Sequence, residues 1–66
     1  MTILLNGKSF EVQDGVTLDA LILAETGSAR GSAVVLDGSV VPRSEWATTA
    51  LAEGADVELI TAVQGG

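Results

Sequence analysis

Imidazoles and thiols do most of the acid–base, nucleophilic and metal-binding work of side chains at neutral pH. This sequence of 66 residues contains neither histidine nor cysteine. Ser9, Ser28, Ser32, Ser39 and Ser44 therefore have no imidazole to activate them. The nine carboxylates lie along turns and strand edges, with no spacing that pairs two as a glycosidase-like dyad or gathers several around a metal, and they read as solvated surface. Gly7, Gly15, Gly27, Gly31, Gly38 and Gly54 lack the spacing of a phosphate-binding loop and read as turn punctuation.

Gly65-Gly66 differs, because no element follows for it to turn into. At average glycine usage, two terminal glycines arise by chance in about one chain in two hundred, which is suggestive beside the ordinary reading of a frayed end and stronger where the tail directly continues a long strand. A tail without Cβ atoms can thread a narrow channel and adopt almost any φ at another protein's active site. The chemistry that needs such a tail is activation of the terminal carboxylate. Adenylation with ATP converts one oxygen into a leaving group, and a nucleophile can then attack the Gly66 carbonyl past minimal steric obstruction. All catalytic groups would belong to the partner, which makes the missing histidine and cysteine expected.

The body must be small and hydrophobic. A chain of this length buries only about 60% of its unfolded surface, with no disulfide or thiolate metal site to reinforce it. Its 47% apolar content is enough for one globular core. A formal net charge of −6 repels phosphate backbones and anionic membranes, so neither nucleic acid nor membrane is an expected partner; a protein with a basic docking surface fits better, beside the plain reading that the charge keeps a small protein soluble. No apolar run approaches the ~20 residues of a membrane span, and no basic segment leads into an apolar one at the start, which sets the expected compartment as the cytoplasm.

Local signals then divide the chain. Thr2 to Leu5 and Ser9 to Gln13 flank Asn6-Gly7, a pair suited to a type I′ hairpin turn. Thr17 can cap a helix from about Leu18 to about Thr26, with Asp19 in its first turn, Leu18, Leu21 and Ile22 on one face, and Gly27 as its stop. Ala33 to Leu36 reads as an interior strand, Asp37-Gly38 as a turn, and Ser39 to Val41 as a short edge strand ended by Pro42. Arg43 to Ala50 reads as an irregular crossover holding Trp46, Leu51 as an anchor to the core, and Val57 to Val63 as the longest strand. One helix covers one face of the sheet. Alternation points Ile3, Leu5, Phe10, Val12, Val57 and Leu59 toward it and puts Leu4, Ile60 and Ala62 on the open face, a candidate partner surface. The expected organisation is a domain over 1–63 and a flexible tail over 64–66.

The chain resembles the ThiS family of sulfur carriers in thiamin thiazole synthesis, over essentially its whole length. The resemblance runs from the Asn6-Gly7 hairpin through Val16-Thr17-Leu18 to the Gly-Gly end. Its most specific parts are Asp37-Gly38-Ser39-Val40-Val41-Pro42-Arg43-Ser44-Glu45-Trp46 and Ile60-Thr61-Ala62-Val63-Gln64-Gly65-Gly66. It implies an α+β fold of the β-grasp (ubiquitin-like) type, a mixed sheet of four to five strands with the first and last parallel at its centre and one helix on one face. It also implies a non-enzymatic carrier that binds no cofactor. A ThiF-like enzyme would spend ATP to adenylate Gly66, a sulfur donor protein would lead to the thiocarboxylate, and a ThiG-like thiazole synthase would receive the sulfur, with Gly65 giving access. A MoaD-like carrier for molybdopterin synthesis, a ubiquitin-like modifier and a plain β-grasp interaction domain are the alternatives. The first is typically longer, with prolines near the tail, and ubiquitin places basic residues before its glycines. Two readings of Arg43 to Trp46 stand side by side: a core wedge with surface charges, or the border of a partner face with Arg43 pairing to a carboxylate.

Overall fold

The computed structural model describes residues 1–27 and 32–61. The elements are β1 (Thr2–Leu5), β2 (Lys8–Glu11), α1 (Leu18–Thr26), β3 (Ser32–Leu36), β4 (Ser39–Val41), the 3-10 helix η1 (Arg43–Thr48) and β5 (Asp56–Thr61). Each hairpin is made by the turn chemistry in its sequence. Asn6 and Gly7 take φ of 51° and 82°, and Asp37 and Gly38 take 49° and 87°. Positive φ at both central residues is the twist that lets two strands close antiparallel over a two-residue loop. Strand β2 begins one residue earlier and ends two residues earlier than alternation suggests.

Helix α1 starts where Thr17, in extended conformation, accepts the Ala20 amide on its hydroxyl oxygen at 3.3 Å. It stops at Gly27, whose left-handed φ of 76° turns its amide back to the Leu23 carbonyl at 2.8 Å. The helix therefore keeps the expected bounds.

The strands form one mixed sheet in the order β2-β1-β5-β3-β4. Both hairpins are antiparallel, β5 is antiparallel to β3, and β1 and β5 are parallel, with Leu4 beside Asp56 and Leu5 beside Val57. Strand β5 thus occupies the centre and joins two otherwise separate hairpins. On the covered face, Ile3, Val34 and Val57 are fully buried with Leu18, Leu21 and Ile22 of α1, and Leu51 and Ala55 complete that layer. Leu5, Phe10, Val12 and Leu59 pack partly buried against it, on the face that alternation assigns. Trp46 closes the remaining side: its ring is buried and its Nε1–H donates to the Val41 carbonyl at 2.9 Å, so its polar atom is satisfied. Arg43 and Glu45, beside it on η1, are exposed.

Candidate functional site

The sequence residues nominated for function fall into two groups. Gly65, Gly66 and Ala62 lie outside the described residues, as does the boundary between domain and tail. Leu4 and Ile60 are on β1 and β5, 39% and 52% exposed, and both point away from α1.

Register decides whether those two form one surface. Because Leu4 lies beside Asp56, the open-face positions of β5 run Asp56, Glu58, Ile60. Leu4 therefore has Ser9 on one side and Asp56 on the other, and Ile60 lies four residues further along β5, roughly 13 Å away. The two are not neighbours. Across β5 the situation reverses: Ile60 faces Ala33, Glu58 faces Val35, and Val35 faces Val40 on β4. Val40, 71% exposed, is the most exposed large apolar side chain among the described residues. Ala33, Val35, Val40 and Ile60 thus make a contiguous apolar area on the outer half of the open face. Val35 and Val40 were missed in the sequence, where both belong to short apolar runs; the rung-by-rung pairing is the signal that finds them.

The border of this area is acidic. Glu58, opposite Val35, and Asp56, two residues before it on β5, point from the same face. No lysine or arginine occupies an open-face strand position among the described residues. Nor is there a pocket or a group of three acidic side chains placed to hold a metal ion among them. Such a surface suits a partner that brings apolar contact and positive charge.

Strand β5 runs from Asp56 to Thr61 through the middle of the sheet, and residues 62–66 follow it in the sequence. The β1 side of β5 loses its partner strand after Leu5, where Asn6 begins the hairpin turn. There the Leu59 amide donates to Asn6 Oδ1 at 2.8 Å.

A parallel pair of first and last strands at the middle of a five-stranded mixed sheet, with one helix packed across one face, defines an α+β protein of the β-grasp class. Within that class the assignment comes from the whole chain. The ThiS family model matches residues 3–66, and the chain belongs to the ThiS family. A crystal structure of a thiamine biosynthesis protein (ThiS) from Geobacter metallireducens is similar over the full length of both chains, with 28% identity and a TM-score of 0.84. A solution structure of a thiamine biosynthesis protein from the same organism is similar over all of this chain and 88% of that one, with 26% identity and a TM-score of 0.82. No curated protein matches the chain. Among the described residues, no helix is long and apolar enough to cross a membrane.

Proposed function

We propose that the chain is a cytoplasmic sulfur carrier for thiazole formation in thiamin biosynthesis, a co-substrate and not an enzyme. The observation that carries the reading is the family match running through residue 66, in a chain whose Gly65-Gly66 end continues from the central strand of the sheet. A carboxylate oxygen of Gly66 attacks the α-phosphorus of ATP in a ThiF-like partner, and pyrophosphate leaves. A reduced sulfur supplied through a donor protein then adds to the acyl carbon, AMP departs with the former carboxylate oxygen, and a thiocarboxylate remains. The ThiG-like thiazole synthase takes the sulfur from that group. ATP is bound by the partner, and this chain supplies presentation: a rigid strand behind the tail, and Gly65 to pass a constriction.

The apolar area of Ala33, Val35, Val40 and Ile60, with its acidic border, serves as the docking surface for the activating enzyme, and Leu4, beside Asp56, lies outside it. Intact-mass analysis of the protein from growing cells tests the reading. The expected result is a species heavier by one sulfur-for-oxygen exchange, with the change located at Gly66. Recovery of the chain joined through Gly66 to lysines of other polypeptides, with no sulfur-bearing form, would overturn it in favour of protein modification.

A further inference from the structure

Two turn residues, one from each hairpin, hold strand β5 through their side chains: Asp37 at its first residue and Asn6 at Leu59 on the β1 side, while β3 stays paired with it through Thr61. In the parallel ladder, the amides of Leu4 and Asn6 donate to the carbonyls of Ala55 and Val57, both at 2.8 Å. The next bond of a parallel ladder would run from the Leu59 amide to the backbone carbonyl of residue 6. The left-handed φ of 51° at Asn6 starts the hairpin turn, and the Leu59 amide bonds to Asn6 Oδ1 instead. The side-chain oxygen thus extends the ladder one step beyond the end of β1. At the start of β5, Asp37 has the same position in its own turn, with φ of 49°. Its Oδ1 accepts the Asp56 amide at 2.9 Å, and its own amide donates to the Asp56 carbonyl at 2.8 Å.

The two contacts are chemically alike and differ in location: Asp37 secures the entrance of β5, while Asn6 secures its second half at Leu59, on the side that β1 has left. We infer that Asn6 is a positioning residue for carboxylate activation, because its side chain restrains the second half of β5 on the β1 side, where β1 no longer reaches, and so adds to the β3 ladder in orienting the strand that leads to the tail. The inference rests on the carrier reading above. A carrier whose strand is already restrained on both sides brings the tail to the partner with less conformational entropy to lose on binding.

Asn6→Gly tests this, since Gly-Gly also favours a type I′ turn but offers no side-chain acceptor. Asp37→Gly is the matched control, and Asn6→Asp restores an acceptor oxygen. Both glycine variants should lower the melting temperature by comparable amounts. Only Asn6→Gly should speed amide hydrogen exchange at Leu59, by roughly five- to tenfold for one lost hydrogen bond. In ATP–pyrophosphate exchange with the cognate adenylating enzyme, it should raise KM for the carrier about fivefold with kcat retained. Asn6→Asp should return both readouts toward wild type, and Asp37→Gly should leave both near wild type. Unchanged Leu59 exchange in Asn6→Gly, an unchanged KM, or an equal KM rise in Asp37→Gly would each overturn the inference. Absence of exchange activity with the wild-type carrier would sink the carrier reading itself, and Leu59 protection would then decide alone whether Asn6 holds this half of the strand.

Discussion

Ile60→Glu separates docking from folding. Ile60 is 52% exposed on the open face, directly across from Ala33 and two residues beyond Glu58 on the same strand. Complete burial of an isoleucine side chain contributes about 1.5–3 kcal/mol. A partner that covers the exposed half therefore gains about 0.8–1.5 kcal/mol from this residue, or about 4- to 12-fold in Kd. Glutamate forfeits that gain and also places an unpaired charge in the contact, so the affinity of the activating enzyme should fall by at least about 30-fold. In the free protein the exposed half stays in water, and losing the covered half, together with strand preference, costs about 1–2 kcal/mol. For a domain of this size that lowers the melting temperature by less than about 16 °C without unfolding it. Calorimetric titration into the adenylating enzyme, beside a thermal melt, measures both quantities. Leu4→Glu should weaken binding less, because Leu4 sits between Ser9 and Asp56 and away from the apolar area. An unaltered Kd for Ile60→Glu would remove this face from the interface, and global unfolding would refute the assignment of Ile60 to solvent.

Two further outcomes follow from other parts of the molecule. Trp46→Ala should destabilise the domain by about 3–5 kcal/mol in denaturant titration, since it empties a buried aromatic site and leaves the Val41 carbonyl without its indole donor; a loss below about 1 kcal/mol would show that the ring is not a core wedge. Gly65→Val should leave the melt unchanged yet abolish ATP–pyrophosphate exchange, because a β-branched residue restricts φ and χ1 and widens the tail; exchange at the wild-type rate would dismiss a glycine-only channel.

What the sequence disclosed depended on how far each signal reaches. The helix bounds were legible because Thr17 and Gly27 act on backbone groups three or four residues away. Both hairpins were legible because Asn6-Gly7 and Asp37-Gly38 determine their own turn geometry. Alternation assigned Ile3, Val57 and Ile60 to the correct faces, since a strand's period is local. It could not align one strand with another. The pairing of Leu4 with Asp56 spans most of the chain and leaves no mark in either segment, so the sequence grouped Leu4 with Ile60 and passed over Val35 and Val40. The parallel placement of β1 and β5 came from family resemblance, not from the residues. Trp46 admitted two readings because one aromatic in an irregular crossover has no periodicity to orient it; burial of its ring and the bond to Val41 fix it as a core wedge.

The central position of β5 also has a mechanical meaning. A partner that grips the tail and draws it into a channel pulls along the axis of β5, against ladders to β1 on one side and β3 on the other. Strand hydrogen bonds run across that axis, so the load is shared among them in shear and does not open them one by one as it would in peeling an edge strand. Had the tail continued from β4, the same pull could have unzipped a three-residue strand from its hairpin. On the proposed carrier function, a tail that follows the central strand would give an enzyme a handle to hold under tension while the body stays folded.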